Sequence, residues 1–234
     1  MSEDDVFSLS AEQFSGKVRL FPLPNLVLFP NVMQPLQIFE PRYLEMLDDA
    51  LADDRLLAIV LLQPGWELAY AGRPPIATTV CVGRIVSHQP LDDGRQNILL
   101  VGLRRAHLVG ELAPHRPYRE ATVELLDDEY APQSSATRTR LQRNLTALLE
   151  ELAPTEFGKL HLLGDKASGH VGLGMLTDLL TFLLPLDLGF KQSLLAETNV
   201  DRRAQKLIRQ LKTSVDDGGP GGGRRDFPPK FSLN

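Results

Sequence analysis

The chain has 234 residues, 43% of them hydrophobic and 24% charged, and its 25 basic against 30 acidic side chains leave a formal net charge of −5. That length and apolar content suffice for one large domain or two small ones, and the acidic balance argues against a chief partner made of nucleic-acid backbone, which demands a local excess of Lys and Arg. With Cys81 as the sole cysteine, an intrachain disulfide and a multi-cysteine zinc site are both excluded.

The opening Met1-Ser2-Glu3-Asp4-Asp5 has neither the basic region nor the apolar run of a signal peptide. Residues 1–16 are expected as a disordered lead-in. The longest apolar stretches, 56–62 and 179–186, are too short to span a bilayer, so a reduced, cytoplasmic location is expected. Order should begin near Lys17-Val18-Arg19-Leu20, followed by the proline-punctuated runs Phe21-Pro22-Leu23-Pro24 and Leu28-Phe29-Pro30. Proline lacks the N–H that a central ladder requires, so these pieces read as edge strands and turns. Phe21, Phe29 and Phe39 are expected in the core.

Pro41 stands where a first helical residue belongs, and Leu44, Leu47 and Leu51 follow on one face, which predicts a short helix ending near Asp53-Asp54. Residues 56–62 read as a buried strand. Residues 64–75 read as a Gly- and Pro-rich loop carrying Trp66 and Tyr70. Strands are predicted over 78–88, 96–103, 106–112 and 118–126, with Asp92-Asp93-Gly94 as the hairpin turn between the first two.

The pattern changes after Pro132. Leu141, Leu145, Leu148, Leu149 and Leu152 stand at helical spacing, and 173–184 is a second apolar helix that must stop before Pro185. Asp187 and Asn199 are candidate caps for two more, the last with Val200, Ala204, Leu207, Ile208 and Leu211 on one face. From Asp216 a Gly- and Pro-rich tail is expected to be disordered.

Catalytic signatures are missing. Gly164 and Gly169 have the spacing of a phosphate loop, but His170-Val171 stand where Lys-Ser/Thr should follow. Ser168, His170 and Asp165 lie close in sequence without the turn that presents a nucleophile. The histidines show no paired metal-ligand spacing. Neither a catalytic residue, a metal nor a cofactor is therefore expected.

The linear pattern is specific in another way. Phe21-Pro22-Leu23, Leu28-Phe29-Pro30, Pro35-Leu36 and Ile38-Phe39-Glu40-Pro41-Arg42-Tyr43 resemble the opening of the Lon amino-terminal (Lon substrate-binding) domain family. Val82-Gly83-Arg84-Ile85 and Leu100-Val101-Gly102-Leu103-Arg104-Arg105 resemble that domain's later hairpin, and 179–192 with 207–211 its helical completion. The resemblance implies an α+β fold: a β-rich, PUA-like subdomain with one short helix over 17–130, then an all-helical subdomain over 131–215, and a tail over 216–234. In Lon proteases this region recognises protein substrates, while ATP hydrolysis and Ser-Lys peptide cleavage belong to later domains. The chain thus resembles the stand-alone bacterial members that lack those domains. The resemblance implies a non-catalytic module that captures exposed or unfolded polypeptide or acts as an adaptor in proteolysis or stress response, beside a protease or chaperone.

Contact residues have to come from outside the structural motif. Trp66 and Tyr70 are large aromatic groups in a loop, the residue types favoured as interface anchors, and are candidate peptide-binding residues. Phe227, Pro228 and Phe231 bracket a proline pair in the tail and could dock in a groove of a partner or of a second copy. The alternative is an RNA-binding PUA-like module using the last helix, where Arg202, Lys206 and Arg209 line one face beside Arg203 and Lys212.

Overall fold

The computed structural model describes residues 7–12, 14–70, 72–130, 132, 135–152 and 172–216. Among them the described chain divides after Asp127 into two compact units.

The first unit is built on a six-stranded mixed sheet: β1 (Lys17–Leu23), β2 (Met33–Ile38), β3 (Leu56–Leu61), β4 (Thr79–Pro90), β5 (Gln96–Glu111) and β6 (Arg119–Leu126), with one helix, α1 (Pro41–Ala52). The strand order is β2-β5-β4-β3-β1-β6, and β6 also pairs with β5, which closes β5-β4-β3-β1-β6 into a barrel with β2 alongside. Its interior is filled by alternating positions, among them Val18 and Leu20 of β1, Leu56, Ala58 and Val60 of β3, Val80 and Val82 of β4, and Val123 of β6. Leu57 and Ile59, on the opposite face of β3, are buried as well. Burial on both faces is the reason 56–62 is a continuous apolar run instead of an alternating one.

Several sequence expectations change here. β1 is not an edge strand: it lies between β3, in parallel, and β6, antiparallel. Pro22 is tolerated because β6 pairs only with Lys17 through Leu20. The Leu23 carbonyl accepts from Leu62 N–H at 3.0 Å, so by strand alternation Pro22 faces the other side, where the ladder has already ended. The predicted strands 96–103 and 106–112 are one strand, β5. Its early half pairs with β2 and its late half with β6, while β4 runs along nearly all of it. Phe21 and Phe29 are buried, but Phe39 is 38% exposed. Leu36 and Ile38 point inward along β2, so the period of two turns Phe39 outward.

Within the expected lead-in, Leu9 is buried and Phe14 packs against the same core, and Arg104 donates to the Leu9 carbonyl at 3.3 Å. These two apolar side chains of a largely polar run thus join the core cluster of the barrel. Gly83 and Gly102 are positions of close approach: a Cβ on Gly102 would stand 2.9 Å from the Phe29 carbonyl carbon and nearer still to its oxygen. At the β4–β5 turn Gly94 has φ +82° and donates to the Leu91 carbonyl at 3.1 Å.

The second unit contains α2 (Ser135–Leu152), α3 (Leu173–Leu183), α4 (Leu188–Leu195) and α5 (Val200–Asp216). Asp187 accepts from Phe190 N–H and the Asn199 side chain from Arg202 N–H, both at 2.9 Å, so each caps the helix that follows it. Leu141, Leu145, Leu176, Leu180, Leu194, Leu207 and Leu211 are among its buried residues. Glu129 N–H donates to the Thr198 carbonyl at 2.9 Å and Val200 N–H to the Glu129 carbonyl at 3.0 Å, which ties the start of this unit to its last helix. The α+β class read from the sequence is the one observed.

Candidate functional site

The segment 64–70 tightens into a 3₁₀ turn over Trp66–Ala69, entered through Gly65 in the left-handed region at φ +87°. Trp66 and Tyr70 meet edge to face with ring centroids 5.3 Å apart, and both are half-buried. Leu68, between them, is 98% exposed.

Tyr70 is drawn back to the start of α1. Its hydroxyl donates to Glu40 Oε1. Arg42 donates through Nε to Glu40 Oε2 at 3.1 Å and through a terminal nitrogen to the Tyr70 carbonyl at 3.3 Å. The Arg42 guanidinium also lies 4.7 Å from the ring centroids of both Tyr43 and Tyr70. Burial and the bond to Glu40 raise the Tyr70 pKa above its ordinary value. The Glu40-Pro41-Arg42-Tyr43 motif therefore does two things at once: Pro41 starts the helix, and its charged neighbours pin the aromatic loop. Leu68 is the large apolar group of this loop that is open to solvent, with Trp66 half-buried beside it.

Beside this cluster lies a cleft of about 210 Å³, lined by Arg42, Tyr43, Arg73, Arg116, Tyr118 and Arg119 together with Gly72, Pro114 and Pro117. Arg119 is held by Glu111 through Nε at 2.8 Å and a terminal nitrogen at 2.5 Å, and by the Pro74 carbonyl at 2.8 Å. Those bonds keep the Glu111 carboxyl below its ordinary range. Tyr118 donates to Asp49 at 2.6 Å; burial first, then that bond, push its pKa up to about 12. Composition and spacing did not single out this cleft. The one local signal is the dense His115-Arg116-Pro117-Tyr118-Arg119 run, which as a sequence is indistinguishable from a solvated loop.

The basic face expected on the last helix is partly dismantled. Arg203 is fully buried, 3.1 Å from Asp178 and 2.9 Å from Asp128, so it belongs to the core and not to a phosphate-facing surface. Lys206 is paired with Glu197 at 2.7 Å. Arg202, Arg209 and Lys212 are exposed. Ser168, His170 and Asp165, and the tail residues Phe227, Pro228 and Phe231, lie outside the described residues. Among the described residues no set of three His, Cys, Asp or Glu could hold a metal ion, and no helix is long and apolar enough to cross a membrane. The Cys81 thiol is buried and donates to the Val82 carbonyl at 3.7 Å.

Residues 17–213 match the model of the ATP-dependent protease La (LON) substrate-binding domain. The Lon protease of Desulfosudis oleivorans is 23% identical over 214 residues, covering 88% of this chain and 25% of that protein. The Lon protease of Escherichia coli K12 is 23% identical over 205 residues, covering 86% of this chain and 25% of that protein. The chain thus spans about a quarter of the length of these relatives. Among solved structures, a Lon N-terminal domain protein from Xanthomonas campestris superposes with TM-score 0.57 at 25% identity, over 82% of this chain and 97% of that one. The N-terminal domain of the Mycobacterium avium complex Lon protease superposes with TM-score 0.64 at 17% identity, over 84% and 98%. A match that runs through both units, from β1 to α5, makes this chain a member of the Lon substrate-binding domain family.

Proposed function

We propose that this chain is a non-catalytic binding module that holds exposed or unfolded segments of other proteins, or delivers them as an adaptor in proteolysis or stress response. The observation that carries this reading is the extent of the family match, which takes in both units and names a substrate-binding domain. The exposed Leu68 and half-buried Trp66 on a loop pinned by Glu40 and Arg42 support it, because an apolar anchor held on a rigid base loses little entropy on binding. In this reading Trp66 is the direct contact and Tyr70 its support. A cytoplasmic setting with a protease or chaperone partner belongs to the same proposal, as does self-association through Phe227, Pro228 and Phe231.

The test uses the purified chain in three assays. Fluorescence anisotropy with a labelled, permanently unfolded polypeptide should show saturable binding. ATP hydrolysis and cleavage of casein should both be absent. Failure to bind unfolded chains, or a proteolytic activity that disappears in Ser168→Ala, would overturn the reading.

RNA binding through α5 is the weaker alternative, since Arg203 is committed to buried carboxylates and Lys206 to Glu197. It would show itself as RNA binding with a steep salt dependence that charge reversal at Arg202, Lys206 and Arg209 flattens.

A further inference from the structure

In a chain of net charge −5, four guanidinium groups line one cleft, and among the described residues no carboxylate lines it. Glu40, Glu45, Asp49 and Glu111 pair with those arginines without being among the lining residues. What positive charge the cleft presents therefore depends on how far each arginine is already paired.

The four divide into two pairs. Arg119 and Arg42 are spent on the fold: Arg119 on Glu111 and the Pro74 carbonyl, Arg42 on Glu40, the Tyr70 carbonyl and two aromatic rings. Arg73 and Arg116 are held more loosely. Their side chains are 35% and 45% exposed. Arg73 is engaged through one terminal nitrogen alone, which donates to Glu111 at 3.2 Å, a carboxylate already shared with Arg119, and to the Leu112 carbonyl at 3.5 Å. Arg116 stands 3.6 Å from Glu45 and 3.5 Å from Asp49, again through one nitrogen. Both distances exceed the usual N–H···O range of about 2.7–3.2 Å, and Asp49 already accepts from Tyr118. A guanidinium carries five N–H donors in a planar fork that matches a carboxylate, so most of this donor capacity stays open among the described residues. Tyr43, Tyr118, Pro114 and Pro117 supply apolar walls against which the methylenes of an acidic side chain can lie.

We propose that this cleft is a carboxylate-recognition point, with Arg73 and Arg116 as its donors, that favours client segments bearing an acidic side chain or a free chain end. The inference rests on the substrate-binding reading above and refines it to a class of client. The loop with Trp66 and Leu68 supplies apolar contact, and the cleft supplies charge selection. Because both arginines are solvent-accessible, ionic screening weakens the selection without abolishing apolar binding.

The experiment compares three labelled unstructured peptides on the full chain by fluorescence anisotropy. The first carries a glutamate and an amidated end, the second replaces that glutamate by glutamine, and the third is the glutamine peptide with a free carboxyl end. The first or third should bind roughly tenfold more tightly than the second, as one charge-assisted bidentate contact allows. Whichever does so identifies the carboxylate as side chain or chain end. Arg116→Gln or Arg73→Gln should erase the preference, while Arg116→Lys, which keeps the charge, should retain part of it. Circular dichroism verifies that each variant is folded. Equal binding of all three peptides overturns the cleft proposal and leaves the substrate-binding reading intact. Persistence of the preference in both Gln variants also overturns it. If no peptide and no unfolded protein binds, the substrate-binding reading itself fails. Displacement of the glutamate peptide by single-stranded RNA, with RNA affinity falling further than peptide affinity in Arg116→Gln, assigns the cleft to phosphate and overturns the proposal.

Discussion

Glycine at position 102 is demanded by space, and at 94 by backbone conformation, so the two should differ in cost. A Cβ at 102 meets the Phe29 backbone, which cannot swing aside as a side chain can, and Gly102→Ala should destabilise by about 3 kcal/mol. At Gly94 nothing lies within 4 Å and only φ +82° opposes a side chain, so Gly94→Ala should cost about 1 kcal/mol. Urea titration of both variants checks the order. Buried charge gives a second contrast. Removing Arg203 alone takes a buried cation from beside Asp178, itself 1% exposed, and Arg203→Ala should cost about 3–5 kcal/mol. Replacing both Arg203 and Asp178 by leucine should cost less than that single change, a reversal that a double-mutant cycle reads directly. Glu111 sets a pH dependence. Its folded pKa lies below the ordinary 4.5 because of Arg119, so its contribution is full above 4.5 and is lost as the pH falls through the depressed value. The acid limb of a stability–pH profile should therefore be shallower in Glu111→Gln.

At the scale of elements, β2 is an edge strand, pairing only with β5 among the described strands. Gly102 N–H donates to the Val32 carbonyl at 2.9 Å, and continuing that alternation along the register places the backbone groups of Pro35 on the open side. Proline has no N–H to offer there, and its carbonyl accepts from the Gln34 side chain at 2.7 Å. The edge is blunted at its middle, a common protection against strand addition. Restoring a donor with Pro35→Val should raise self-association, measurable by sedimentation velocity; an unchanged monomer fraction would show that the edge is guarded by other means. The helices were more legible than the strands. Asp187 and Asn199 act as the caps their positions suggested, because capping is a local bond between a side chain and a nearby N–H. β5 was read as two strands because Arg104-Arg105 interrupts its apolar run. Arg105 is nonetheless buried, and Arg104 is accommodated by the Leu9 carbonyl and by Asp127 at 2.5 Å.

For the molecule as a whole, the two units carry separate buried sets, barrel residues such as Val18 and Val82 in one and helix residues such as Leu180 and Leu207 in the other. Gly102→Ala should therefore lower amide protection in the first unit and Arg203→Ala in the second, with hydrogen exchange resolving the two. An effect spread evenly over both would indicate a single cooperative unit. Cleft and loop lie together in the first unit, so peptide binding should be far more sensitive to Trp66→Ala and Arg116→Gln than to changes on α5.

The sequence alone determined the α+β class, the helical caps, the Asp92–Gly94 turn and the family, because each rests on local chemistry or on motifs whose order survives in one dimension. It also marked Trp66 and Tyr70 through the oddity of aromatic groups in a loop. Only the tertiary structure decided what those residues do. Tyr70 is spent on Glu40 because the barrel brings 40 and 70 together, and Arg203 is withdrawn into the core by carboxylates from 128 and 178. β1 became an internal strand, with Pro22 harmless there, through barrel closure and the early end of β6. The cationic cleft, gathered from 42, 73, 116 and 119, has no linear signature, since an arginine reads the same in sequence whether its charge is spent on a neighbouring carboxylate or presented to a cavity.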